Sequence, residues 1–146
     1  MNYKKNLFHV EHISTEKLSK KFKTPLYCYS YLRLKNNITN FKNHFKKINP
    51  LIFFSVKSNS NVKILKEIKN LGLGADVVSK GEMMKALKAG IKTKKIVFSG
   101  VGKTYLELEY AINKNILLIN VESKNELLVI EKMAKLKKKK IDIGIR

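Results

Sequence analysis

Short apolar runs alternate along this chain with longer stretches in which apolar residues recur every three or four positions. The runs are Pro25-Leu26-Tyr27-Cys28-Tyr29-Ser30, Leu51-Ile52-Phe53-Phe54-Ser55-Val56-Lys57, Ala75-Asp76-Val77-Val78-Ser79, Lys95-Ile96-Val97-Phe98-Ser99, Ile116-Leu117-Leu118-Ile119-Asn120-Val121 and Ile141-Asp142-Ile143-Gly144-Ile145-Arg146. Each is short, β-branched or aromatic, and nearly continuous in apolar character. That pattern predicts strands buried on both faces of a parallel sheet.

The stretches between the runs have helical period. Leu32, Leu34, Ile38, Phe41 and Phe45 share one face of a helix expected from about Tyr31 to Lys47. Val62, Ile64, Leu65 and Ile68 mark a second helix, with Ser60 or Asn61 as its cap. Met83, Ala86 and Leu87 mark a third that ends at Gly90, and Thr104 opens a fourth through Leu108 and Ile112. Ser123 opens a fifth with Glu126 as capping-box partner, its stripe running through Leu127, Ile130 and Met133.

Strand and helix thus alternate with a repeat of roughly 20 to 25 residues, as right-handed βαβ units do. Such units build a doubly wound sheet or a β/α barrel. No Gly-rich dinucleotide or Walker fingerprint follows the early strands, which disfavours a nucleotide-binding sheet. The expected class is α/β: a partial, TIM-type β/α barrel of about five strands, where closure needs eight. Residues 1–30 are expected to form an N-terminal extension and first strand, and residues 31–146 the partial barrel. An open barrel exposes strand edges and apolar interior. The chain alone is therefore expected to be unstable, oligomeric or completed by another polypeptide.

Composition narrows the function classes. With 44% apolar residues in 146, including 7 Phe and 6 Tyr, a core can form and wholesale disorder is excluded. The single Cys28 excludes a disulfide framework and a cysteine-built zinc site, and no metal is expected. No apolar run reaches a membrane span, and the N-terminus lacks the apolar core of a secretory signal, so the expected compartment is the cytoplasm. The net charge is +20, which raises nucleic-acid binding as a reading. Lysine supplies 29 of the 31 basic residues, however, and Lys, Asn and Ile together make 58 of 146. These are the residues that A/T-rich codons encode. The lysines are scattered instead of forming one stripe, so no specific nucleic acid is expected as partner.

Two spots carry candidate chemistry. Lys57 follows a buried strand, where a β/α barrel places its reactive groups. A desolvated lysine there exposes a nucleophilic amine that can form a Schiff base with an aldehyde. Asp76 lies in or beside a buried strand, where a carboxylate needs a reason to be. Glu82 falls in the first turn of the next helix, where taken alone a favourable contact with the helix dipole accounts for it better than catalysis does. His9, His12 and His44 are expected to be solvated, Cys28 to pack as a small hydrophobe, and Lys137 to Lys140 to form a solvated loop.

Across nearly its whole length the chain resembles the N-terminal part of the diaminopimelate branch of the pyridoxal-phosphate decarboxylases. These alanine-racemase-like barrel enzymes include ornithine and arginine decarboxylases. The matching blocks are Thr24 to Ser30, FSVKSNSN from Phe54, GLGADVVSKGEMMKALKAGI from Gly72, KIVFSGVGKT from Lys95, INVESKNEL from Ile119 and the closing IDIGIR. The Pro-Leu-Tyr opening and FSGVGKT favour the diaminopimelate branch. Ser58 stands where the family usually has Ala.

The resemblance implies that Lys57 holds pyridoxal 5'-phosphate through a Schiff base. It implies that Asp76 and Glu82 are acidic residues near that linkage, and that Arg146 lies near the cofactor's phenolic oxygen. It implies decarboxylation of meso-diaminopimelate to L-lysine, with an ornithine- or arginine-type decarboxylase as the alternative. A basic, non-enzymatic nucleic-acid-binding domain is the reading from a different class. The family's phosphate-binding glycine loop, pyridine-facing carboxylate and C-terminal β-domain fall outside this chain. The resemblance therefore implies a homodimer for the whole protein, a possible complementing C-terminal chain, and little activity for this piece alone.

Overall fold

The computed structural model describes residues 2–4 and 6–146. The chain divides into two compact units, Met1–Pro50 and Leu51–Arg146.

In the first unit, β1 (Asn2–Lys4), β2 (Leu7–Val10) and β3 (Ile13–Ser14) form a small antiparallel sheet. Two helices follow, α1 (Thr15–Phe22) and α2 (Tyr31–His44). Ser14 caps α1 and Ser30 caps α2, each side chain accepting a first-turn N–H. The Glu11 carboxylate accepts from the Leu32 N–H and from the Ser30 hydroxyl. Those bonds, led by the Leu32 N–H, hold its carboxyl below the usual range.

The segment from Pro25 to Ser30, expected as a strand, joins no sheet. Pro25 brings no N–H to a ladder, and of the six residues only Cys28 and Ser30 are not exposed. The expected stripe of α2 is present but uncovered: Leu34 and Ile38 are half-buried, while Leu32, Phe41 and Phe45 are exposed. Cys28 is half-buried, and His44 is exposed, its ring bonded to the Asn40 carbonyl.

The second unit is a five-stranded parallel sheet in the order β4 (Phe53–Ser55), β5 (Gly74–Val77), β6 (Ile96–Phe98), β7 (Leu118–Val121), β8 (Ile143–Ile145). Helices α3 (Val62–Asn70), α4 (Lys80–Lys88), α5 (Tyr105–Lys114) and α6 (Lys124–Lys137) connect successive strands. Strand order equals chain order, so the sheet never reverses direction as a doubly wound sheet must. It is an unclosed arc of a β/α barrel.

Alternation along each strand sends one set of side chains toward the helices. Ala75, Val77, Ile96, Phe98, Ile119 and Val121 pack there against Leu65, Met83, Leu108, Ile112, Ile130 and Met133. The opposite face carries the row Ser55, Asp76, Val97 and Leu118, aligned by the register. Burial on both faces holds for β6, where Val97 is buried on the second face; Ser55, Asp76, Leu118 and Asn120 on that face are half-buried, and at the edge Ile143 and Ile145 of β8 are exposed.

Two local expectations change. Glu126 does not complete a box with Ser123: the Ser123 side chain accepts the Glu126 N–H, but the carboxylate turns away to Lys103. The complete capping box belongs to α5, between Thr104 and Glu107. The lysine run from 137 is also no simple loop. Lys137 ends α6 and pairs with Glu109 at 2.9 Å, and the Lys139 ammonium caps α5 through the Ile112 carbonyl at 3.1 Å.

Gly74 at the start of β5 is required by space. A Cβ there would lie 2.5 Å from the Lys95 carbonyl oxygen and 2.6 Å from the Phe53 ring. Gly74→Ala is expected to destabilise the unit by about 1–3 kcal/mol, because a backbone oxygen cannot swing aside as a side-chain tip can. The urea midpoint of the variant against the parent chain checks this; an unchanged midpoint contradicts it.

Candidate active site

The four residues singled out from sequence lie at the C-terminal ends of the strands, but in unlike settings. Strand β4 stops at Ser55 and the chain turns through a 3-10 segment, Val56–Ser58. Val56 is fully buried and the Ser58 hydroxyl closes the turn on the Ser55 carbonyl at 2.7 Å. Lys57, between them, points outward. It is exposed, so the expected desolvation is not found: the turn displaces it from the strand. Among the described residues its ammonium has no hydrogen-bond or ion-pair partner.

Asp76 sits beside Ser55 in the ladder, two residues short of Lys57 in register. It is half-buried, and its Oδ1 accepts the Ser99 hydroxyl. Ser99 in turn accepts from Asn120 Nδ2 at 3.0 Å. Asp76 thus has the partner that a carboxylate in a strand needs.

Glu82 is in the first turn of α4, where Ser79 caps the helix by accepting the Glu82 N–H. The Glu82 carboxylate reaches back to the Val78 N–H at 2.9 Å. It therefore fixes the β5–α4 loop. Arg146, just past β8, donates its backbone N–H to Val121 and brings its guanidinium 3.4 Å from Glu122 Oε1. Its side chain is 69% exposed. Glu122 also accepts the Gly100 N–H at 3.3 Å, so Arg146 is tied to the β6–α5 loop. No hydrogen bond or ion pair among the described residues joins any two of Lys57, Asp76, Glu82 and Arg146.

Three residues of this rim escape the sequence pattern. Ser99 closes an apolar run and Asn120 interrupts one just before its end; a polar residue in an otherwise apolar strand was the available signal. Lys103 gave none, as one lysine among 29. Its side chain is 1% exposed. Its ammonium pairs with Glu126 at 2.7 Å and donates to the carbonyls of Gly100 at 2.6 Å and Asn120 at 2.7 Å. All three ammonium donors are used. The glycine-lysine-threonine sequence at this strand-to-helix turn therefore offers no free lysine to a phosphate.

Glu107 links neighbouring helix starts: its carboxylate accepts the Lys80 N–H at 3.0 Å. That bond, against partial burial and with help from Thr104 and Lys80, holds its carboxyl below the ordinary value of 4.5. A carboxyl lowered on folding binds protons more readily in the unfolded chain. Its stabilising contribution is full above about pH 4.5 and is lost as pH falls through the lower folded value. Stability measured from pH 6 down to pH 3 is expected to fall less steeply in Glu107→Gln; parallel curves contradict the assignment.

An amine with no partner at the carboxyl edge of a parallel sheet is suited to an aldehyde-bearing cofactor. The sequence profile described as "Pyridoxal-dependent decarboxylase, pyridoxal binding domain" matches residues 32–146. This chain belongs to the pyridoxal-dependent decarboxylase family.

Members of that family named diaminopimelate decarboxylase resemble it throughout. One from Helicobacter pylori (strain J99 / ATCC 700824) is 50% identical over 131 residues, covering 90% of this chain and 32% of the relative. The crystal structure of diaminopimelate decarboxylase from M. jannaschii in co-complex with L-lysine superposes with a TM-score of 0.95 at 34% identity. It covers 99% of this chain and 35% of that one. The structure of the H. pylori enzyme complexed with L-lysine gives a TM-score of 0.86 at 47% identity, over 90% of this chain and 34% of that one. The chain thus spans about a third of the length of the relatives it matches. The family's domain implies pyridoxal phosphate as cofactor, and the free amine of Lys57 fits its aldehyde. Membership in a decarboxylase family stands against the reading as a bare nucleic-acid-binding domain. Among the described residues, no helix is long and apolar enough to cross a membrane.

Proposed function

We propose that this chain supplies the lysine-bearing part of a meso-diaminopimelate decarboxylase, an enzyme that releases carbon dioxide and leaves L-lysine. The observation that carries the reading is the 50% identity to a diaminopimelate decarboxylase over 90% of the chain. The partnerless amine of Lys57 at the rim of the sheet supports it chemically.

Pyridoxal phosphate, when bound, supplies an aldehyde that joins an amine and a ring that draws charge from the substrate carbon as carboxylate leaves. Lys57 is the residue of this chain that would hold it, since among the four rim candidates it alone carries an amine able to condense with an aldehyde. Asp76, with one oxygen committed to Ser99, keeps its other oxygen available as an acceptor. Arg146 provides a planar guanidinium donor. Glu82 holds the loop that follows Asp76 in place. The remaining groups that reaction requires, a phosphate clamp and a partner for the ring nitrogen, belong to the two thirds of the relatives that this chain does not span. Losing several cooperating groups costs orders of magnitude in rate, so the chain alone is inactive. The whole protein works in the cytoplasm on an amino-acid substrate, as a homodimer or completed by a second chain.

The test is a carbon dioxide release assay of the complete polypeptide with meso-diaminopimelate, ornithine and arginine at equal concentrations. Preference for diaminopimelate supports the proposal. Preference for ornithine or arginine overturns the branch.

A further inference from the structure

We propose that Ser99 and Asn120 are positioning residues that aim Asp76 in the cofactor site, through a one-way hydrogen-bond relay running from β7 across to β5. The proposal rests on the reading of Lys57 and Asp76 as site residues.

The direction of the relay follows from what each atom can do. Asn120 Nδ2 can only donate, so Ser99 Oγ receives a hydrogen from it at 3.0 Å. Ser99 has one hydroxyl hydrogen, and it goes to Asp76 Oδ1. Asp76 Oδ1 is thereby fixed as an acceptor, and the carboxylate plane is set by a neighbour only 6% exposed to solvent. These residues lie on the sheet face turned away from the helices, in which Val97 and Leu118 show that apolar side chains are accommodated. A relay of three polar groups there costs desolvation that a valine would not. Each group of the relay satisfies the next, and the chain of bonds ends on the Asp76 carboxylate.

Two further features serve the same relay. Lys103 donates to the Asn120 carbonyl at 2.7 Å, and its pair with Glu126 is buried, so the strand position of Asn120 is pinned. Gly144 lies beside Asn120 in the ladder, and a Cβ at Gly144 would occupy the place of Asn120 Oδ1. Gly144 does not occupy the left-handed region, so glycine is needed here for room and not for conformation. Room is needed because the amide stands in that space to reach Ser99.

Two readouts test the proposal in the 146-residue chain. The first is the side-chain amide resonance of Asn120 in a nitrogen-proton correlation spectrum. It is expected to move in Ser99→Ala and in Gly144→Ala, and to stay put in Ser99→Thr, which keeps the hydroxyl. The second is the yield of pyridoxyl label on Lys57 after incubation with pyridoxal phosphate and reduction with borohydride. Ser99→Ala is expected to lower that yield about tenfold, the effect of one lost hydrogen bond to a charged group, with Ser99→Thr restoring it. In an Asp76→Asn background Ser99→Ala is expected to have no further effect, because Ser99 acts through Asp76. Additive losses in the double variant, or an amide resonance indifferent to Ser99→Ala, overturn the relay. Label on the parent chain that is not concentrated at Lys57 overturns the reading of the site instead, and the amide resonance then decides the relay by itself.

Discussion

Lys57→Ala is expected to reduce decarboxylation by the complete polypeptide at least about a thousandfold, the scale seen when a covalent catalytic group is removed. The same substitution is expected to leave the fold intact. Lys57 is exposed and makes no hydrogen bond or ion pair among the described residues, so truncating it uncovers no buried group. Surface substitutions of that kind stay within about 0.5 kcal/mol of the parent. Turnover and urea midpoint measured on the same preparation separate the two effects. A variant that keeps a tenth of the parent rate, or one that loses rate only because it unfolds, contradicts the assignment.

Lys103→Met is expected to do the reverse. Lys103 is 1% exposed and Glu126 is 8% exposed, so removing the cation strands a buried carboxylate and frees two carbonyls. Breaking a buried pair from one side costs roughly 3–5 kcal/mol. That is comparable to the whole stability of many small domains, so the variant is expected to be largely unfolded under conditions where the parent is folded. Replacing both partners, Lys103→Met with Glu126→Leu, is expected to recover most of the loss, because no unpaired charge remains. Circular dichroism against urea for the parent, the single and the double variant checks the order. A single variant as stable as the parent contradicts the buried pair.

The contrast between these two lysines shows what the sequence can and cannot disclose. Continuous apolar runs and periodic stretches marked all five parallel strands and the helices between them, because burial dictates residue type wherever the sheet is covered. The run at 25–30 misled for the same reason: aromatic residues suit a strand, yet most of these side chains are exposed and no ladder forms. The short β1–β3 sheet escaped notice because strands of two to four residues are too brief to show alternation.

Lys57, Asp76, Glu82 and Arg146 are grouped only by the family resemblance of the motifs around them, and no hydrogen bond or ion pair among the described residues joins them. The structure adds what each is attached to. Asp76 accepts the Ser99 hydroxyl, Glu82 holds its own loop, and Arg146 reaches Glu122. Lys103 was invisible because burial of a lysine depends on partners distant in sequence, here Asn120 and Glu126. In a chain with net charge +20, residue identity carries almost no information about which ammonium is inside. It carries more about the acids. Of 11 acidic residues, Asp76, Glu82, Glu107, Glu122 and Glu126 all lie on the rim where the strands end.

The central claim is that one lysine of 29 is the attachment point for pyridoxal phosphate. The most direct measurement is a peptide map of the chain after incubation with substoichiometric pyridoxal phosphate, reduction with borohydride and protease digestion. The pyridoxyl mass is expected predominantly on the peptide containing Lys57, and Lys57→Arg is expected to remove it. Label distributed over the exposed lysines, with the Lys57 peptide no richer than its neighbours, would contradict it.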